Sequence, residues 1–209
     1  MKTIGCMATY EKRANTRQKA IDSIQPQLDE FWLMDNSSTD LDRADNAKFH
    51  ALDHIDEPCF MFLLDDDLTY PPDYVEKMII SIQKFDCIIT LHGRLLLGEG
   101  LNYYKAHKSF HCLGTVPESQ VIDVAGTGVT AFDTRYFHPK GLASDPRLRM
   151  SDLLFSLEAA KQQKTIGVLK HKAGWIKHIN NKETIFDTES KDCRIQNEIA
   201  DKIFKLNYD

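Results

Sequence analysis

The sequence predicts an α/β domain in which a mostly parallel central sheet is flanked by helices. Three observations predict it. Short apolar, β-branched runs recur along the chain and alternate with segments of helical period, the pattern of parallel strands joined by helical crossovers. One such run, Phe60-Met61-Phe62-Leu63-Leu64, ends abruptly in Asp65-Asp66-Asp67, and open α/β sheets bind ligands beyond the C-terminal ends of their strands. A length of 209 residues with 42% hydrophobic content suits a single domain with a sizeable core.

The elements follow in order. Lys2 to Ala8 is an apolar first strand, broken at Thr9-Tyr10-Glu11-Lys12-Arg13. A helix comes next, with Ala20, Ile21, Ile24 and Leu28 on one face and Asn15 or Thr16 as its cap. Glu30 to Met34 reads as a second strand, and the polar cluster Asp35-Asn36-Ser37-Ser38-Thr39-Asp40 as a loop. Residues 41–57 are polar and hold one short helix. Cys59 to Leu64 is the third strand. Pro71-Pro72 then opens a helix, proline being tolerated in a first turn, whose apolar face is Val75, Met78, Ile79 and Ile82. Cys87 to Leu91 is a further strand. Residues 92–120 mix glycines, aromatics and histidines without a period, and read as loops with a hairpin. Val121 to Val124 and Val129 to Phe132 are short strands around Ala125-Gly126-Thr127-Gly128, and 134–150 is loop. A helix starts at Ser151-Asp152 with Leu153, Leu154 and Leu157 inward. Thr165 to Leu169 is the last strand and 171–190 is irregular. Ile195, Ile199, Ile203 and Leu206 make a stripe on a C-terminal helix, read as a face docked on the domain.

Composition narrows the function. The net charge is −5 and no basic tract occurs, so neither nucleic acid nor an anionic membrane is an expected partner. No apolar run is long enough for a transmembrane segment, and the N-terminus lacks the features of a signal peptide. Five cysteines at 6, 59, 87, 112 and 193 form no Cys-x-x-Cys pair. Reduced thiols and a cytoplasmic location are the expectation.

The acidic triplet carries the chemistry. Three adjacent carboxylates repel one another unless a cation sits among them, and Mn²⁺ or Mg²⁺ binds through one or two carboxylates plus substrate phosphates. The plain alternative is a solvated acidic turn before a helix, where Asp is favoured anyway. Asp35 and Asn36 equally suit a turn, Asp152 suits a helix N-terminus, and Gly126 and Gly128 suit a tight bend.

Order and co-occurrence favour the functional reading. Ala8-Thr9-Tyr10-Glu11-Lys12-Arg13, then Asp35-Asn36-Ser37-Ser38-Thr39-Asp40, then Leu64-Asp65-Asp66-Asp67 with Tyr70-Pro71-Pro72-Asp73-Tyr74-Val75 stand in one sequence. In this order they resemble the inverting GT-A glycosyltransferases, in particular the large family 2 group. Gly126-Thr127-Gly128 with Phe132 and Arg135 resembles that family's acceptor-side strand. Ser151-Asp152-Leu153-Leu154-Phe155 sits where the family carries an acidic pair opening a helix, with Ser151 in place of the first acid.

The resemblance implies a single GT-A domain over 1–209, with 1–91 binding the nucleotide sugar and 92–209 the acceptor. It implies transfer from a nucleotide-diphosphate sugar, with UDP the expected nucleotide, to a carbohydrate or other hydroxyl acceptor. Asp67 is then a metal ligand, with Asp65 direct or through water, and Asp66 reaches the donor ribose. Asp35 meets the base, and Thr9, Tyr10 and Arg13 line the nucleotide pocket, Arg13 with phosphate as its other use. Asp152 is the general base of an inverting displacement. His178, ahead of His171, is a further metal ligand on the C-terminal side. Retention in place of inversion stays open, since both classes share the fold. A sugar nucleotidyltransferase resembles a chain with a Gly-rich N-terminal loop, and residues 5–13 contain only Gly5. A non-catalytic carbohydrate-binding relative has no need of the intact triplet with Asp152. Trp175 suits either an acceptor sugar or the core, Arg94 either an anion or the surface, and the His50–His54 pair a helical surface.

Overall fold

A computed structural model of the chain describes residues 1–38, 43–100, 102–179 and 193–208. The first half runs β1 (Lys2–Thr9), α1 (Ala14–Ile24), β2 (Glu30–Asp35), α2 (His50–His54), β3 (Cys59–Asp65), β4 (Leu68–Thr69), α3 (Tyr74–Phe85) and β5 (Ile88–Thr90). The second half runs β6 (Gly93–Leu96), β7 (His107–Phe110), β8 (Gln120–Ile122), β9 (Val124–Ala125), β10 (Val129–Asp133), α4 (Ser151–Lys161), β11 (Ile166–Val168), β12 (Lys177–His178) and α5 (Arg194–Tyr208).

Seven strands form the central sheet in the order β2-β1-β3-β10-β5-β11-β8. β2, β1, β3, β5 and β11 share one direction, while β10 and β8 run against them. The mostly parallel, helix-flanked sheet expected from the alternating pattern is therefore present. β3 shows why its sequence is a continuous apolar run. Met61 and Leu63 enter the core shared with α4 and α5, whereas Phe60, Phe62 and Leu64 enter the core under α1 and α3. A strand buried on both faces needs no polar alternation.

Several local expectations change. Arg13, at the end of a 3-10 turn over Glu11–Arg13, takes the cap position of α1. Asn15 and Thr16 lie inside the helix, and the Thr16 hydroxyl donates back to the Arg13 carbonyl (3.1 Å) instead of capping. The strand expected over Val121 to Val124 is split between β8 and β9 at Asp123. That buried side chain accepts from the Leu96 N–H (2.8 Å) and from Asn207 Nδ2 (2.8 Å), so a polar residue inside an apolar run ties the β6 hairpin to the end of α5. On α5, Ile199 and Ile203 are buried with Ala200, but Ile195 and Leu206 are exposed. The docked stripe is thus narrower than the periodicity implied. The hairpin expected in 92–120 is β6–β7, joined by β9 into a small second sheet.

Candidate functional site

The parallel register brings the first three strand ends level. Thr9 pairs with Asp35 across β1–β2, and Ala8 with Asp65 across β1–β3. β10 runs the other way, with Val129 opposite Leu64, so its N-terminal approach, Gly126-Thr127-Gly128, reaches the same edge. Tyr70 fixes that junction. Its buried hydroxyl accepts from the Asp65 N–H (2.9 Å) and donates to the Gly128 carbonyl (2.7 Å). Tyr70→Phe leaves two buried backbone groups without this partner, and a loss of about 1–3 kcal/mol is expected. Chemical denaturation checks it; an unchanged midpoint would show that the junction holds without the hydroxyl.

The triplet does not act as one acidic patch. Asp65 is ion-paired to Lys48, a buried lysine on the 3-10 helix Ala44–Phe49. Its other side rests on Gly128, where a Cβ would lie 1.8 Å from Asp65 Oδ2. Only glycine permits that approach. Asp66 is buried and accepts from the Thr9 hydroxyl (2.7 Å). Burial pushes its carboxyl up to about 6, against the pull of Thr9 and Arg13. Asp67 meets Arg13 Nη1 at 3.3 Å and His178 Nε2 at 3.7 Å. Burial, then the charge of Asp65, raises its pKa as well. The Arg13 guanidinium also lies over the Tyr10 ring, 5.8 Å from its centroid.

His178 arrives at Asp67 by chain pairing. It sits opposite Leu68 in the β4–β12 ladder, and the Ile179 N–H donates to the Asp67 carbonyl (2.7 Å). His171 is directed elsewhere, its ring between the Leu169 and His111 carbonyls (2.8 and 3.2 Å). Among the described residues no three His, Cys, Asp or Glu side chains converge tightly enough to hold an ion alone. Asp67 and His178 supply an oxygen and a nitrogen close enough to touch one ion together. Asp65, held by Lys48, is better suited to a water-mediated contact.

Asp35 lies on the same edge, but its Oδ1 accepts from the Ser37 N–H (3.0 Å) and its Oδ2 from Arg17 Nη1 (2.7 Å). The turn role that the sequence allowed for Asp35 is therefore present. Asp152 opens α4 and binds Thr127, accepting at Oδ1 from both its N–H (2.8 Å) and its hydroxyl (2.7 Å). Since Thr127 and Gly128 are consecutive, Asp152 and Asp65 flank one short loop. No hydrogen bond to Asp152 Oδ2 is formed among the described residues.

Where the resemblance leads one to expect a first acid, Ser151 donates to Asp45 Oδ2 (2.6 Å) and meets the Thr127 hydroxyl (3.0 Å). Asp45, from far earlier in the chain, therefore brings a carboxylate to that position. Sequence reading missed Asp45 and Lys48. Nothing local marks them, because Lys48 is paired to Asp65 and Asp45 to Ser151, both distant in the chain.

The neighbouring imidazole of His92 sits 5.1 Å from that of His111. Burial, then the charges of His111 and Arg94, lower its pKa to about 4. A folded pKa below the unfolded value means the unfolded chain binds the proton first as pH falls. Acidification from about 6.5 to about 4 should thus destabilise the wild type relative to His92→Gln by about 2 kcal/mol. Denaturation of both proteins across that window is the check, and parallel pH profiles would refute it.

Two other sequence candidates lie away from this edge. Trp175 donates to Asp73 Oδ1 (3.0 Å) and packs 6.1 Å from the Tyr74 ring, against the core. His54 stacks on Trp32, and His50 packs tilted against both rings. Arg94, on β6, lies against the Tyr103 and Tyr104 rings.

Neither a family model nor a curated protein matches the sequence. Solved structures do. A197 from STIV superposes with a TM-score of 0.51 and 13% identity over 87% of each chain. The fold is GT-A-like. S. aureus TarS (residues 1–349) is also similar, at 14% identity and a TM-score of 0.47, over 83% of this chain and 59% of that one. The GT-A-like sheet places the Asp65–Asp67 triplet at its C-terminal edge, where such sheets bind ligands. No helix among the described residues is long and apolar enough to cross a membrane.

Proposed function

We propose that the protein is a glycosyltransferase that moves a sugar from a nucleoside-diphosphate donor, with UDP the first choice, to a hydroxyl acceptor. One observation carries the reading. Two sets of carboxylates, Asp65 to Asp67 and Asp152, flank the Gly126–Gly128 loop at the ligand-binding edge of a GT-A-like sheet. Residues 1–91 then serve the donor and 92–209 the acceptor. The overall likeness to family 2 enzymes in motif order supports inversion.

Each residue has a chemical task in this reading. Asp67 and His178 would hold Mn²⁺ or Mg²⁺ against the donor diphosphate. When bound, the ion neutralises charge on the leaving group as a Lewis acid. Arg13, now on Asp67, is placed to transfer its guanidinium to a phosphate, which suits bidentate anion binding. Asp66 with Thr9 meets the ribose, and Tyr10 and Asp35 flank the base. Lys48 keeps Asp65 oriented. Asp152, held through Oδ1, takes the acceptor proton at Oδ2 as general base.

Calorimetric titration with UDP, GDP and CDP, each with and without Mn²⁺, tests the reading. One diphosphate is expected to bind only with metal. Asp67→Ala should abolish that metal dependence, and His178→Ala should weaken metal binding by about tenfold, as losses in a metal shell do. If no diphosphate binds under any condition, the transferase reading is withdrawn.

A further inference from the structure

Arg94 stands on β6, with its backbone carbonyl accepting from the Asp123 N–H (3.0 Å). Its guanidinium carbon lies 4.4 Å from the centroid of the Tyr103 ring and 5.5 Å from that of Tyr104. Nη1 is buried and has no hydrogen-bond partner among the described residues. Arg13 and Arg17, at the donor edge, both hold carboxylates (3.3 and 2.7 Å). Arg94 forms no such pair among the described residues. A sealed, unpaired guanidinium N–H is costly, and such groups are rare unless something else supplies the acceptor.

The surroundings favour an anion. The ring of Tyr103 lies in the field of both Arg94 and Asp152, Arg94 drawing its pKa down and Asp152 pushing it up beneath the dominant effect of burial. In the β6–β9 ladder Arg94 lies opposite Val124, three residues before Thr127, which Asp152 holds. The nearby imidazoles of His92 and His107 are shifted toward neutrality, first by burial and then by surrounding positive charge that includes Arg94. Tyrosine faces on a guanidinium leave its in-plane N–H groups for a planar or tetrahedral anion. Arg94 is itself only part-buried, and side-chain adjustments that open one more N–H are common on binding.

We propose that Arg94, against the Tyr103 and Tyr104 rings and opposite Val124 on the strand that leads into the Gly126–Gly128 loop, binds an anionic group carried by the acceptor, either a carboxylate or a phosphate. This rests on the transferase reading for the word acceptor. The anion site itself does not depend on it.

The test uses the full chain and ligand-observed NMR titration with methyl β-glucuronide, glycerol 3-phosphate and neutral methyl β-glucoside, beside UDP with Mn²⁺. At least one of the two anions is expected to bind saturably, and the stronger identifies carboxylate or phosphate. The glucoside should bind at least about tenfold more weakly, the loss of one charge-assisted contact. Arg94→Met should lose the anion by a similar factor, with Arg94→Lys between the two, while UDP affinity is unchanged. Absence of saturable anion binding, or full binding by both variants, overturns the proposal. A parallel loss of UDP affinity in Arg94→Met assigns the residue to the donor diphosphate and overturns it too. Failure of every diphosphate to bind while the Arg94-dependent anion site persists would instead sink the transferase reading alone.

Discussion

Asp152→Asn is expected to lower transfer by about 10²–10⁴-fold, the usual contribution of a positioned general base. The geometry makes this a clean substitution. Asp152 Oδ1 accepts from the Thr127 N–H and hydroxyl, and the carbonyl oxygen of asparagine can accept both. The Gly126–Gly128 loop is therefore retained while the proton acceptor is lost. Diphosphate and metal affinity should be unchanged. Release of the nucleoside diphosphate, followed with the donor that the titration selects, gives the rate. A fully active asparagine variant would remove Asp152 from the chemistry and restrict it to fastening Thr127.

The second large effect concerns the buried lysine. Asp65→Ala leaves Lys48 at 3% exposure without its nearest counter-charge. A loss of about 3 kcal/mol is expected, the low end for breaking a buried pair, because Asp45 and Asp152 still act on Lys48. Lys48→Met should cost less, since the Asp65 side chain is 41% exposed and can hydrate. Removing both charges with Lys48→Met/Asp65→Ala should recover much of the loss, as replacing a buried pair as a unit often does. Urea midpoints of the four proteins give the coupling. Simple additivity would mean that the pair is not an energetic unit.

Much of this architecture was legible because burial on both faces leaves a plain record. Phe60 to Leu64 reads as a strand with no alternation, and Val75, Met78 and Ile82 read as one helix face, for the same physical reason. Asp65, Asp66, Asp67 and Asp152 were conspicuous as charges at element ends. What escaped notice were polar residues working inside the fold. Asp123 interrupts an apolar run to tie α5 down, Tyr70 was read only as part of a Tyr-Pro-Pro tag, and Lys48 lay in a stretch that looked solvated. Their partners are distant in sequence, and neither periodicity nor propensity carries information about them. The cap of α1 was misplaced because a 3-10 turn running into a helix defers the N-terminal signal.

The reversed direction of β10 also bears on how the chain can be divided. Between β3 and β5 it is paired to both neighbours, yet it comes from the second half of the sequence. A fragment ending near residue 91 would retain most of the proposed donor residues but leave β3 with one unsatisfied ladder edge. That edge belongs to a strand whose residues from Cys59 to Leu64 are all buried in the intact protein, the kind of apolar margin that recruits other chains. Residues 1–91 are thus no portable module, and evolution or engineering that grafts new loops onto this frame must carry β10 along as part of it.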